Sequence, residues 1–381
     1  MVVTVGCTGS AGHGAATPSA TASATIAASP SAAQPASPSP TPADLPVSAV
    51  AFNCRLPVVK STSGGDYSSF AGGFMTFPPA TFEADPKGVV SSEYLAQDFV
   101  TTAAPVLHGS PQTGPPYYDL AQKRWIPAGA GQSSPDGASY AYSTPNSINS
   151  ADPFHIHVVD IAQATEKVFT VATPNVGTPN GIQVADFDGA GVYFVVTQFE
   201  QYPVGVWRLD VATGTVRALT QVAGVMKVRD GSAWVGRVNA HDPSPPRVPA
   251  SRTLYDSIVS VSLSTAAETS WYYSPGHSVV LRGLDSLNHP VVSVSIEPDY
   301  PVDTSEIRLI DTPGSGGENN GEVVYGGGPW LSEPQADGDR LWFGSDRGIY
   351  LYTPSTGLEK VFAFSPNVTA SEAMFPVGFC R

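Results

Sequence analysis

Positive charge is scarce in this chain of 381 residues: Lys and Arg number 19 against 33 Asp and Glu, a formal net charge of −14. Nucleic-acid backbones are held by Lys and Arg, so the balance argues against a nucleic-acid binder. It also argues against docking on anionic lipid through a basic patch. Cationic or neutral partners are favoured over anionic ones. Cysteine is nearly missing too, with Cys7, Cys54 and Cys380 and no C-x-x-C, which leaves a zinc ribbon or a thioredoxin-type site without support. No run of about 18 apolar residues occurs, so no membrane-spanning helix is expected.

Catalytic signatures are missing as well. There is no G-x-S-x-G elbow; "GHSVV" (Gly276 to Val280) lacks the second Gly. P-loop, H-E-x-x-H and G-x-G-x-x-G patterns are absent. No catalytic residue and no cofactor is therefore assigned from the sequence.

What the chain does have is Gly and Pro in quantity, 37 and 36, with 41% hydrophobic residues, which suits an all-β fold rich in turns around a large core. The first 43 residues contain no Asp, Glu, Lys or Arg; Ala, Ser, Thr and Pro dominate after Cys7. Such a segment buries too little apolar surface to offset its ordering entropy, and residues 8–48 are expected to be a disordered tether. The opening "MVVTVGC" resembles the end of a bacterial lipoprotein signal, in which a small residue precedes the cysteine that becomes lipidated. That resemblance implies lipidation at Cys7 and an extracytoplasmic location, lipid-anchored or secreted. Its apolar run is short and no basic n-region precedes it, as expected if the true start lies upstream.

Beyond the tether, residues 49–381 read as one domain built on a repeat. "YYDLAQKRW", "HVVDIAQATEKVFTV", "VWRLDVATGTVRALT", "IVSVSLSTAAETSWYY", "IRLIDT" with "GEVVYG", and "IYLYTPSTGLEKVFAF" each give an alternating strand, a polar turn and a second strand. Asp119, Asp160, Asp210 and Asp311 stand at the same place in four of them, with Ser262 and Thr353 in the others; each of these side chains can bond backbone groups of a turn. A second unit alternates with the first: "SPDGASYAYS", "ADFDGAGVYFVVT", "VRDGSAWVG", "GLDSLNHPVVSVS" and "QADGDRLWFGS" place a turn, usually Asp-Gly, before an apolar strand. Strands such as "VYFVVT" are apolar on both faces, as a strand buried within a stack should be.

Four strands recurring every 40 to 55 residues match the spacing of β-propeller blades. Six blades are counted, with seven as the alternative because residues from Cys54 to Pro116 are poorly patterned. Only "SSEYLAQDF" (Ser91 to Phe99) reads as helical. The pattern over residues 115–365 resembles the TolB-like and WD-type β-propeller superfamily. The resemblance implies a propeller that binds through loops around a central channel, and it implies no single chemistry.

Cys54 opens the folded part and Cys380 nearly ends it. If the C-terminal strand completes the first blade the two become neighbours, and a disulfide would clamp the ring, worth about 5–6 kcal/mol in the chain-entropy model. Two free buried thiols are the alternative. The bridge requires an oxidising compartment and leaves Cys7 unpaired.

Three stretches offer metal readings beside plainer ones. His155 and His157 lie on one face of a strand, but the repeat alignment puts His157 where Trp207 stands, on a packing face. His241 and Asp242 fall in a Pro-rich loop and read as solvated. "ADFDGAGVYFVV" resembles the calcium loop of FG-GAP-type propellers at Asp186 and Asp188, yet Ala190 and Val192 stand where further oxygen ligands belong. "PNGIQVADFDGAGVYF" resembles gluconolactonase-type propeller hydrolases, which would give Asn180 a metal-ligand role; Glu333 is out of register with that family's Glu. The preferred reading is a non-enzymatic, monomeric binding module without bound metal. It would take a protein, peptide or glycan at Asn180, His277, Trp330 and Glu333, at the starts of inner strands. A metal-dependent lactonase and a purely structural surface protein are the alternatives.

Overall fold

The computed structural model describes residues 45–64, 67–92, 98–144, 153–172, 179–198, 201–238, 255–295, 306–316, 321–326, 331–365 and 373–381. The chain divides into Met1–Pro38, outside the described residues, and Ser39–Arg381. Cys7, His241, Asp242 and Trp330 also lie outside them, as does nearly all of the proposed tether.

Ser39–Arg381 is a six-bladed β-propeller. Blade 1 holds β1 (Cys54–Gly64), β2 (Tyr67–Phe77) and β3 (Thr81–Ser92), with short β4 (Phe99–Thr101) and β5 (His108–Gly109) beyond β3. A hairpin of β6 (Tyr117–Asp119) and β7 (Arg124–Ile126) leads into blade 2, whose strands are β8 (Ser139–Thr144), β9 (Phe154–Asp160) and β10 (Thr165–Val171). Blade 3 is β11 (Pro179–Phe187), β12 (Gly191–Gln198), β13 (Gln201–Asp210) and β14 (Val216–Ala223). Blade 4 is β15 (Val225–Arg229), β16 (Ser232–Arg237), β17 (Ser257–Ser262) and β18 (Glu268–Tyr273). Blade 5 is β19 (Ser278–Leu284), β20 (Pro290–Ser295), β21 (Glu306–Leu309) and β23 (Glu322–Gly326), while the intervening β22 (Ser315–Gly316) pairs in parallel with β18. Blade 6 is β24 (Gln335–Asp337), β25 (Arg340–Gly344), β26 (Gly348–Thr353) and β27 (Gly357–Ala363).

The blades cohere through their faces. Six hydrophobic clusters fill six gaps between neighbours, the last joining Trp342, Ile349 and Leu351 of blade 6 to Leu56, Val58 and Met75 of blade 1. Successive side chains of a strand point to opposite faces, so a middle strand feeds both gaps. On β12, Val192, Phe194 and Val196 pack toward blade 2, and Tyr193 and Val195 toward blade 4. On β26, Ile349 and Leu351 enter one cluster and Tyr350 and Tyr352 the other. This is why these strands carry no polar face. Each fully buried Val, Leu or Phe contributes roughly 1.5–3 kcal/mol of transfer free energy.

The ring closes at both ends of the domain. β28 (Met374–Pro376) pairs antiparallel with β1, Val58 opposite Pro376, at the edge of blade 1 that corresponds to β11 and β15 in their blades. Val47 bridges Lys360 at the far edge of blade 6. Cys54 and Cys380, 326 residues apart in sequence, are disulfide-bonded with a Cα–Cα distance of 5.2 Å.

The count of six blades read from the repeat holds, and the alternative of seven falls away. One sequence reading needs amendment. In the stretch read as helical, Ser91, Ser92 and Phe99 are strand residues: Ser91 pairs with Val100 and Ser92 with Phe99, so β3 and β4 form a hairpin there. Residues 93–97 lie outside the described residues. In blade 1, Gly72, Gly73 and Gly88 stand where a side chain would clash with its surroundings, which interrupts the apolar alternation there. A Cβ on Gly72 would stand 2.4 Å from the Trp125 ring, which packs over this blade and donates from Nε1 to Asp85 Oδ2 at 3.0 Å.

The outer hairpins share one turn. The Asp, Ser or Thr at its start accepts a bond from the backbone N–H three residues on, at Asp119–Gln122 (2.7 Å), Asp160–Gln163 (2.8 Å), Asp210–Thr213 (2.8 Å), Ser262–Thr265 (3.4 Å) and Thr353–Thr356 (3.1 Å). The next residue is left-handed each time: Lys123, Ala164, Gly214, Ala266 and Gly357, with φ from 50° to 72°. Asp311 instead accepts from the Thr312 hydroxyl.

Candidate functional site

Inner strands of a propeller face the channel, and here they are bulged. The register of β11 against β12 slips between Val184 and Asp186, that of β15 against β16 between Val225 and Lys227, and that of β19 against β20 between Leu281 and Gly283. The extra residues are Ala185, Met226 and Arg282. A bulge bends the strand and re-aims its side chains, and bulges concentrate beside functional sites. All three of these residues line one cavity of about 200 Å³, with Gln183, Lys227, Thr113 and Glu333 among its polar walls.

One wall is held by two carboxamides. Gln132, fully buried, accepts at Oε1 from the backbone N–H of Gln112 (2.7 Å), Gly129 (2.8 Å) and Thr113 (3.3 Å), and donates to the carbonyls of Ser110 and Ala141. Gln112 in turn donates to Ser143 and accepts from the backbone N–H of Val184 in blade 3. The Gln183 side chain donates to the Gln112 carbonyl. These bonds fix Gln112 and Thr113 between blades 2 and 3 as cavity lining.

The charges on the walls are mostly positive. Lys227 is half-buried as a residue, and desolvation holds its ammonium below the ordinary lysine pKa against the opposing pull of Glu333. Burial likewise lowers Arg282, again opposed by Glu333. Arg282 donates from Nη2 to the Leu331 carbonyl at 2.6 Å, but its Nε is buried with no hydrogen-bond partner, and so is Thr113 Oγ1. Glu333 is exposed at the margin. Among the described residues, no ion pair joins Lys227 or Arg282 to a carboxylate.

Farther along β11 lies a different group. Burial, reinforced by Asp230 and Asp188, pushes the Asp186 carboxyl up to about 7. Asp188 is fully engaged: Oδ1 accepts from the backbone of Ala190 (2.9 Å) and Gly191 (2.5 Å), Oδ2 from the Tyr193 hydroxyl (2.9 Å) and Arg208 (3.3 Å). A carboxylate so bonded has no lone pair directed at a shared cation, and among the described residues no group of three or more His, Cys, Asp or Glu could hold a metal ion.

Of the binding residues expected from the sequence, Glu333 and His277 have described side chains. Glu333 lines the cavity. His277 does not; its Nδ1 lies 3.0 Å from the Ser274 hydroxyl in the turn before β19. Asn180 sits where the register of β11 slips between Pro179 and Gly181, and its side chain, like Trp330, lies outside what is described. His157 stacks on Tyr142 at 4.6 Å and its Nδ1 meets Glu166 at 2.6 Å, a packed position; His155 Nδ1 stands 3.5 Å from Thr170. Lys227, Arg282 and Gln112 were missed. For the two cations a signal was there, a charge flanked by apolar residues in "VMKV" and "VVLRGL"; Gln112 had none.

Neither a family model nor a curated protein matches the chain. Among solved structures it is similar to an oligogalacturonate lyase in complex with manganese (13% identity, 80% of this chain and 75% of that one, TM-score 0.42). It is also similar to the acylaminoacyl peptidase of Pyrococcus horikoshii (10% identity, 82% of this chain, TM-score 0.42), of which it spans only 46%. A third likeness is to apo AztD from Citrobacter koseri (10% identity, 87% of this chain and 98% of that one, TM-score 0.41). Identity at this level carries no substrate or activity across.

Proposed function

We propose that this propeller is a non-enzymatic binding module of the extracytoplasmic space, which takes its ligand, a peptide, a glycan or a protein-borne group, in the central channel. The observation that carries this reading is the cavity of about 200 Å³ walled by three inner-strand bulges, with desolvated polar groups turned to one space. Concave, polar-studded sites between repeated elements are where such scaffolds bind. The Cys54–Cys380 bridge supports a location outside the reducing cytosol. In this reading Cys7 carries a lipid anchor, which labelling with a fatty-acid probe would detect and Cys7→Ser would abolish.

The full chain and an Ala185→Phe variant, which fills the cavity, would be screened by thermal shift against peptides, oligosaccharides and small metabolites. The reading expects a ligand that raises the melting temperature of the parent and leaves the filled variant unmoved. It fails if no ligand does so, if the shift survives in the variant, or if the purified protein holds a stoichiometric divalent ion and hydrolyses lactones or esters.

A further inference from the structure

The charge of the cavity runs against the charge of the chain. The whole sequence carries −14, yet the ionisable residues on the cavity walls are Lys227, Arg282 and Glu333, a net of one positive charge. Lys227 and Arg282 stand on neighbouring inner strands, β15 and β19, with no carboxylate among the described residues paired to either. Taking a cation out of water without a partner costs several kcal/mol, and structural alternatives are cheap, since a Met at either position would pack without that cost. Unpaired cations held in a cavity are what an anionic ligand requires.

An orphaned donor gives a second, independent pointer. Arg282 Nε is buried without a partner although the residue lines the cavity. Buried polar atoms are normally bonded, and an exception calls for a missing group. An oxygen-rich anion would supply it: a guanidinium offers a planar fork suited to a carboxylate, and an ammonium offers three further donors.

Volume and charge narrow the class. A space of about 200 Å³ suits a small organic molecule. One net positive charge balances a monoanion better than a dianionic phosphate. Glu333 at the margin accepts hydrogen bonds and repels other acceptors, so the ligand should carry a hydroxyl or amino group beside its carboxylate.

Resting on the binding-module reading above, we infer that the channel takes a small hydroxy- or amino-monocarboxylate, with its carboxylate on Lys227 and Arg282 and its donor group toward Glu333.

Calorimetric titration of the full chain with lactate, gluconate and glutamine, each beside its own amide (lactamide, gluconamide, glutamine amide), and with inorganic phosphate tests this. At least one acid should bind about tenfold or more tighter than its amide and than phosphate, and Lys227→Met and Arg282→Met should each weaken it by about tenfold. Arg217→Met, exposed on the outer strand β14 and away from the cavity walls, should leave binding unchanged. Equal binding of acid and amide, tighter binding of phosphate, or full affinity in Lys227→Met would overturn the inference. The acid-to-amide ratio in the parent needs no variant, so a misfolded substitution does not protect it. Should a neutral peptide or oligosaccharide bind the parent and not Ala185→Phe while no carboxylate binds, this inference falls and the binding-module reading stands; if nothing binds, both fall.

Discussion

The backbone N–H of Gln112 meets the side-chain oxygen of Gln132 at 2.7 Å, and through that bond the cavity wall is tied to blade 2. Gln132, itself fully buried, satisfies three N–H groups and two carbonyls at once. An apolar replacement strands several of them, each costing about 1–3 kcal/mol if left unmet. Gln132→Leu should lower unfolding free energy by about 3 kcal/mol in urea melts and loosen amide exchange at Gln112 and Thr113. Parent-like exchange at those two amides would show that the wall is held by other means.

The repeated outer turn makes a prediction of opposite sign. Ala164 and Ala266 occupy left-handed positions, φ 50° and 58°, which Gly214 and Gly357 fill in equivalent turns. An L-residue held there costs about 1–2 kcal/mol. Ala164→Gly and Ala266→Gly should therefore each stabilise the protein by about 1 kcal/mol, less the entropy that glycine adds to the unfolded chain. Gly214→Ala should destabilise it by a similar amount. A melting series in which the Ala-to-Gly changes are both destabilising would contradict the turn geometry.

These turns also show how much the sequence could say. Asp119, Asp160, Asp210, Ser262 and Thr353 were visible as a repeated position because the hydrogen bond to the third residue on is local chemistry. Apolar runs such as "VYFVVT" were readable because both their faces pack on neighbours. The cavity was not readable in this way. It depends on where Ala185, Met226 and Arg282 bulge out of register, and a bulge is set by pairing with another strand rather than by the residue's own preferences. Glu333 lies among the residues picked from inner-strand starts, but its cationic counterparts sit two to four residues inside their strands, where position alone gives no cue.

Ring closure sets a third expectation. The disulfide spans 326 residues, and β28 holds β1 through only a short pairing, Val58 to Lys60 against Met374 to Pro376. The unfolded chain therefore loses much entropy to the cross-link, and beside that pairing the seam is held by the backbone bonds of Val377 to Pro57 and Arg55 to Arg381. Replacing both cysteines by Ser should cost about 3–5 kcal/mol. Hydrogen exchange should rise first in β28 and β1 while blades 3 and 4 keep their protection. Uniform loosening across all blades would mean that the seam is no weaker than the rest.

Asp186 gives the fold a pH dependence whose sign follows from its burial. Its carboxyl titrates at about 7 in the folded protein against an ordinary 3.8, so between those values the folded state keeps a proton that the unfolded chain has released. Stability then falls as pH rises through that window, because the unfolded state binds fewer protons there, and the whole penalty is present above pH 7. Asp186→Asn removes the charge while keeping the shape. The variant should match the parent near pH 4 and exceed it by about 4 kcal/mol at pH 8, with the gap opening between. Lys227 works in the other direction: its lowered pKa makes stability rise as pH climbs toward the ordinary lysine range, so the two effects separate on the pH axis. A gap between Asp186→Asn and parent that is the same at pH 4 and pH 8 would show that this carboxyl titrates as if in water.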